Sequence, residues 1–361
     1  MRVHQICARL QYGDAVTGQV LAMHRAFTSW GWEGHIYASS NDDTMACLNE
    51  GLEAYRRYAR NREDVLIFHY SIYDENHRLY LKSRNRKILY YHNITPPSFF
   101  EPYEPFLAEM CRRGRELLPR LSQCDLALGV SDFNRRELVE AGFEGSRTGV
   151  LPLILDLDRL QGRYSHGILR GLQDGKVNVL FVGRLVPNKR IEDLLDLFAA
   201  YHHRVNIQSR LLLVGATWSL AYNRELALRA RRRGLQRAVV IPGWSWGVSD
   251  EDLGAYYRAA HLFVTCSEHE GFCAPILESM LFGVPVLARE AAAIPSTLGD
   301  AGVLFRELDL PLLAEVMEEL VFNHELRRAL QQKMKERLRE FHPDAVVGKL
   351  RRYVESVAVG G

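Results

Sequence analysis

The sequence predicts an α/β protein made of two Rossmann-like domains in series, and three observations carry that expectation. Short apolar runs alternate with amphipathic stretches along most of the chain. The runs fall into two successive series. A glycine-bearing segment without a strong strand pattern separates them. At 361 residues and 47% hydrophobic content, the chain is long enough to bury two cores.

The first series is "VHQICARL", "GHIYAS", "DVLIFHY", "KILYYHNI", "DLALGVS" and "GVLPLIL". Between the runs lie helical patterns such as "VTGQVLAMHRAFTSWGW", which sets Val20, Met23 and Phe27 on one face. The second series is "VNVLFVGR", "RLLLVG", "AVVIPGW", "HLFVTCS", "VPVLAR" and "GVLF", with helical patterns over Ile191–Tyr201 and Leu220–Arg233. Strands and helices in this alternation indicate parallel sheets covered on both faces. The separating segment, 159–176, reads as an interdomain connection. The tail from 325 reads as two helices broken near Pro343. The expected division is 1–160, 161–340 and a C-terminal helix over 341–361. Two such units leave a cleft at the carboxyl ends of their strands, where chemistry is sought.

Composition narrows the function classes. Lys and Arg number 46 against 44 Asp and Glu, and positions 1–155 carry 19 of each sign. Neither half is a basic nucleic-acid surface. Small clusters such as Arg231–Arg233, Arg112–Arg115 and Lys82–Lys87 read plainly as solvated faces. Their sharper reading is contact with an anionic acceptor or a membrane surface. The six cysteines are scattered without ligand spacing, which predicts buried free thiols and no structural zinc. No apolar run nears the ~18–20 residues that span a bilayer. The N-terminus lacks a signal-peptide core. A cytoplasmic protein, peripheral at a membrane if attached at all, is the expectation.

Two constellations could carry chemistry. In "SEHEGFCAPILESM", Glu270 follows a strand pattern and Glu278 follows Pro275, which suits the first turn of a helix. The loop Glu270–Ala274 then runs into a helix N-terminus, where free amides and the helix dipole favour a phosphate or a sugar hydroxyl. Gly271 lets backbone come close to a ligand. A dipole-stabilising Glu270 and a solvent-facing Glu278, worth ~0.3–1 kcal/mol each, are the plainer reading. In "VLFVGRLVPNKR", Gly183 and Arg184 close a strand and Lys189 follows five residues on. A planar fork beside a mobile point charge suits a diphosphate. Lys189 alone would be a surface residue, whereas Arg184 at the end of a buried strand is expected to need an anion. Two cations and two carboxylates on neighbouring loops suit a nucleotide diphosphate sugar.

At this point the sequence resembles the retaining GT-B glycosyltransferases of family 4. The resemblance rests on "VGR" with Lys189, on "SEHEGF", and on Glu270 and Glu278 with seven residues between them. It extends through "FGVPVLA", "AGVLF", "YGDAVTGQV", "YYHNITPPSFF" and "SDFNRREL", in the expected order along nearly the whole chain. It implies two facing domains, with the C-terminal helix returning to the first. Arg184 and Lys189 match the basic pair that stabilises the departing diphosphate. Glu278 matches the acid on the ribose, and Glu270 the acid facing the donor sugar. Backbone amides of Gly271, Phe272 and Cys273 would serve the sugar or phosphates. His92 matches a histidine near the reacting carbon, and Gly13 and Asp14 match the loop close to donor and acceptor. Ser131 and Asn134 fall in a family-like segment without an assigned role. Many relatives have glycine where Cys273 and Arg190 stand here.

Plainer readings stand beside the first-domain assignments. His92 could be a satisfied core histidine, Gly13-Asp14 plain turn chemistry, and His69 and Tyr70 packing residues. Trp244 and Trp246 could stack on a base or cap the core. The function expected is retaining transfer of a hexose, mannose from GDP-mannose before a UDP-sugar, to an acceptor hydroxyl. No cofactor and no metal are expected, and "NDDT" at 41–44 reads as a turn. The rivals are a nucleotide-sugar epimerase or hydrolase and a non-catalytic nucleotide-sugar-binding module. A dehydrogenase is disfavoured, since no GxGxxG follows a strand pattern.

Overall fold

A run such as Val65–Tyr70, buried at every residue, can face water on neither side of a sheet and therefore requires cover on both. The computed structural model describes residues 1–243 and 247–359. The run Val65–Tyr70 is one of six strands in one sheet: β1 Arg2–Leu10, β2 Glu33–Asn41, β3 Val65–Tyr70, β4 Arg86–Tyr91, β5 Leu126–Gly129 and β6 Thr148–Val150. Its order is β2-β1-β3-β4-β5-β6, with every pairing parallel. A second sheet holds β7 Val177–Val182, β8 Ser209–Val214, β9 Val239–Val240, β10 Leu262–Thr265, β11 Val286–Arg289 and β12 Val303–Phe305. Its order is β12-β11-β10-β7-β8-β9, again parallel throughout.

The chain divides into two units. The first comprises Met1–Glu101, Pro105–Leu155 and the segment from Glu340; the second comprises Pro102–Glu104 and Asp156–Arg339. In the first, the helix Ala15–Ser29 is started by Asp14, whose carboxylate accepts from the amides of Val16 (3.0 Å) and Thr17 (3.2 Å). Val20, Met23 and Phe27 are fully buried on its inner face. The helix Pro343–Val359 belongs to this unit too: Arg86 donates to the Val357 carbonyl at 2.8 Å.

Residues 159–176 correct the expectation of a bare connection. They hold a short 3₁₀ turn, Asp158–Leu160, and a helix, His166–Leu172, both within the second unit. Arg258 donates to the carbonyls of Leu160 (3.0 Å) and Gln161 (2.9 Å), and the Ser165 amide donates to the Glu251 carbonyl at 3.1 Å. Glycine content signalled turns here, but the carbonyls those turns expose are taken up by a long arginine from elsewhere in the unit. The strands expected in "GVLPLIL" and "AVVIPGW" are also shorter than their apolar runs, at three and two residues.

In each sheet the strand order reverses beside the first strand in sequence, between β1 and β3 and between β7 and β10. Loops leaving the carboxyl ends of those strands diverge and leave a crevice. At the second reversal, Gly183 and Gly215 follow β7 and β8 with φ of 147° and 148°. A methyl group on Gly215 would lie 2.1 Å from the Gly183 carbonyl oxygen. Gly215→Ala is therefore expected to lower the unfolding free energy by more than ~2 kcal/mol, read from urea denaturation, because backbone must move on both strands.

Candidate functional site

The loops after β7 and β10 are joined by backbone and side chain together. Asn188, 6% exposed, donates from Nδ2 to the His269 carbonyl at 2.9 Å, and its own carbonyl accepts the Glu268 amide at 3.0 Å. The amide of Ala293 reaches the Glu270 carbonyl at 3.3 Å from the β11 side. An ion network repeats the join: Arg190 meets Glu192 (2.9 Å), Asp193 (3.1 Å) and Glu268 (3.5 Å). Arg289 meets Asp193 (2.9 Å) and Glu268 (2.6 Å) from the end of β11.

On this frame Lys189 and Glu270 come together. Lys189 closes a 3₁₀ turn, Pro187–Lys189, and its ammonium is paired with the Glu270 carboxylate, which is 8% exposed. Arg184 is exposed, and it makes no side-chain hydrogen bond or ion pair among the described residues. This overturns the expectation of a buried cation at the strand end. The chain leaves the sheet at Gly183, so the guanidinium of the next residue meets solvent rather than core. The helix Ala274–Leu281 begins with Cys273 in the left-handed region (φ 68°) and Pro275 in its first turn. Phe272 and Cys273 are buried, and Gly271 is half-buried. Burial pushes the Cys273 thiol far above its ordinary range, with the Glu270 carboxylate adding to the effect.

Glu278 is not solvent-facing. It is 6% exposed; its Oε2 accepts from Tyr257 Oη at 2.7 Å and its Oε1 from Arg159 Nη2 at 2.9 Å. Burial raises its pKa, while the tyrosine and arginine pull it back. An ionised carboxylate offers about four lone-pair positions, so two stay open to a ligand. Arg159 also pairs with Asp250. Sequence reasoning assigned neither Tyr257 nor Arg159 to this site. Arg159 lies 119 residues from Glu278, and no local pattern links them.

The first unit carries its own cluster. His92 follows β4 and is half-buried; its Nε2 lies 2.9 Å from His69 Nδ1. His69, 2% exposed at the end of β3, was expected to be packing; it is instead a hydrogen-bonded link, with Nε2 3.0 Å from Gln5 Oε1. Burial pushes the His92 imidazole down to about 3 and holds His69 well below its ordinary value. Gly13 (φ 75°) and Asp14 form the turn and cap that open the helix Ala15–Ser29. Ser131 caps the helix Asp132–Glu140, accepting the Asn134 amide at 3.3 Å. Trp244 and Trp246 lie outside the described residues. "NDDT" is a turn: Asp42 accepts from Thr44 Oγ1 (2.6 Å) and the Met45 amide (3.1 Å). Among the described residues no cluster of three or more His, Cys, Asp or Glu could hold a metal ion, and no helix is long and apolar enough to cross a membrane.

Residues 170–337 match the family model described as glycosyl transferases group 1. The matched span contains Arg184, Lys189, Glu270 and Glu278, whereas Arg159 lies before it. The chain is similar to O-antigen chain mannosyltransferase B of Escherichia coli, at 29% identity over 74% of this chain and 71% of that protein. It is also similar to a GDP-mannose-dependent alpha-mannosyltransferase of Mycobacterium tuberculosis, at 33% identity over 33% of this chain and 26% of that protein. Among solved structures, Anabaena Alr3699/HepE in complex with UDP and glucose matches with a TM-score of 0.74. That match has 16% identity and covers 99% of this chain and 100% of the other, a likeness of fold, which is GT-B.

The histidine pair makes stability depend on pH. Unfolded imidazoles take up protons near about pH 6.5, whereas these two stay neutral in the folded chain, His92 down to about 3. Their contribution is complete above about pH 6.5 and is lost as the pH falls toward about 3. The unfolding free energy from urea denaturation should fall between about pH 6.5 and 4.5. In a His69→Gln/His92→Gln variant that decline should be shallower.

Proposed function

We propose that the chain is a retaining hexosyltransferase that moves mannose from GDP-mannose to a hydroxyl of a glycan or lipid-linked glycan. The observation that carries this is the ion pair of Lys189, after β7, with Glu270, after β10, ahead of the helix on which Tyr257 and Arg159 hold Glu278. The mannosyltransferase names of the two relatives favour the donor.

In this reading Arg184 and Lys189 hold the diphosphate. Arg184 is already unpaired, and Lys189 has two further N–H donors besides the one facing Glu270. As the bond from the anomeric carbon to the diphosphate oxygen breaks, its electron pair goes to the diphosphate. The two cations neutralise the charge that builds there, and no metal ion is called for. The acceptor oxygen bonds to the same face of the carbon, and its proton passes to a departing phosphate oxygen. Glu270 accepts from hydroxyls of the sugar, and Glu278, held by Tyr257 and Arg159, accepts from those of the ribose. Amides of Gly271, Phe272 and Cys273 face the same ligand, and Gly183 borders it. We place the reaction in the cytoplasm, with peripheral contact to a membrane surface where the acceptor is lipid-linked.

Transfer of radiolabelled mannose is the test. Arg184→Ala and Lys189→Ala should each lower kcat/KM about 100-fold or more, the scale of one lost donor to developing negative charge. Glu278→Ala should raise the donor KM by about 10- to 100-fold. Full rates in the first two variants would remove the diphosphate assignment. Inverted product stereochemistry would overturn the retaining mechanism, and turnover without an acceptor would favour an epimerase or hydrolase.

A further inference from the structure

A single row of hydrogen bonds runs across one face of the first unit's sheet. Gln5 on β1 is in register with Ile67 on β3, so Gln5 and His69 project to the same face. His69 is in register with Tyr90 on β4, which puts His92 beyond Tyr90 on that face as well. The helix Ala15–Ser29 contributes to the same row through the Val20 carbonyl, which accepts from Gln5 Nε2 at 3.1 Å. Gln5 is fully buried and His69 nearly so.

The direction of every bond in the row follows from its last member. A backbone carbonyl can only accept, so the Gln5 amide must turn its NH₂ to Val20 and its oxygen to His69. That oxygen can only accept, so His69 Nε2 carries the proton. The neutral ring then has a bare Nδ1, and at 2.9 Å this nitrogen must receive the N–H of His92 Nε2. The remaining nitrogen of His92, Nδ1, is left without a proton. It makes no hydrogen bond among the described residues and belongs to a half-buried side chain. Burial keeps both rings neutral, so the order is not undone by protonation near neutral pH.

We propose that Gln5 and His69 are positioning residues that lock His92 as its Nε2–H tautomer, leaving Nδ1 a fixed hydrogen-bond acceptor for a hydroxyl of a sugar ligand. The choice of a sugar rests on the function proposed above; the tautomer does not. A fixed acceptor favours a hydroxyl at that place on the ligand and disfavours a carboxylate or phosphate oxygen, which also only accepts. Tyr90 holds the row laterally: its ring centroid is 5.5 Å from that of His69 and 4.4 Å from that of His92, and its hydroxyl donates to the Leu151 carbonyl at 2.8 Å.

The experiment is nitrogen NMR of full-length protein labelled with ¹⁵N-histidine, with His92 assigned by loss of its signals in His92→Gln. Wild-type protein should show a pyridine-type Nδ1 and a pyrrole-type Nε2 for His92. Gln5→Met touches neither nitrogen of His92, yet it should convert this pattern to a tautomer mixture. Gln5→Glu, which still accepts from His69, should preserve it. His69→Leu is a second disrupting variant should Gln5→Met fail to fold. In mannosyl transfer, Gln5→Met should lose about tenfold in kcat/KM, the scale of one neutral hydrogen bond. A pyrrole-type Nδ1 in wild-type protein, or a wild-type pattern in Gln5→Met and His69→Leu, would overturn the assignment. The nitrogen signals are read without substrate, so an inactive protein with the expected pattern supports the tautomer lock while removing the transfer reaction.

Discussion

Asn188 gives its side-chain amide to the His269 carbonyl and takes the Glu268 amide on its own carbonyl. It thereby closes the loops after β7 and β10 onto each other from inside the protein. These loops leave adjacent strands and would otherwise diverge at the reversal in strand order. With the join made, a lysine from one loop and a glutamate from the other meet as an ion pair of low exposure. Arg190, Arg289 and Glu268 hold the rim of the same join. Most of these polar groups have a partner on another element, with the buried Nε of Arg289 the exception, so the join is largely made before any ligand arrives.

Backbone strain is concentrated at the same places. Among the described residues, four non-glycine residues have positive φ: Asn93, Arg190, Cys273 and Ala292. Asn93 follows His92, Arg190 follows Lys189, Cys273 starts the helix that carries Glu278, and Ala292 precedes the amide bonded to Glu270. Each costs about 1–2 kcal/mol relative to an unstrained conformation, and surrounding contacts must over-determine it. The two departures from the related family, Arg190 and Cys273, are both of this kind. At Arg190 the three carboxylates around the guanidinium offset the strain that a glycine would have avoided. At Cys273 the side chain is buried, which gives the strained residue apolar cover.

Much of the fold was legible because it depends on local periodicity. Buried parallel strands are mostly apolar, and runs such as Val177–Val182, with a single asparagine among its six residues, announce themselves. The loops at Gly183 and Glu270 could be located for the same reason, since a loop begins where an apolar run stops. Partner choice among polar side chains was not legible. Arg159 reaches Glu278 from a segment that reads as a linker, and Tyr257 reaches it from a helix whose tyrosines look like core. Arg184 was misjudged for a related reason: burial of a strand says nothing about the second residue beyond its end. Gln5 and His69 sit within strand patterns, where their apolar neighbours hide them, although a glutamine in a fully buried strand position is itself a signal of a polar partner.

If the two loops form one preassembled site for a nucleotide diphosphate sugar, that site depends on Asn188. Asn188 is assigned no ligand contact, so its effect on binding must pass through the join. Calorimetric titration of GDP-mannose into wild-type protein and Asn188→Ala measures that effect. Binding is expected in the wild type, with affinity at least about tenfold weaker in the variant, the scale of one lost buried hydrogen bond. Equal affinity in the two, with both folded, would contradict it.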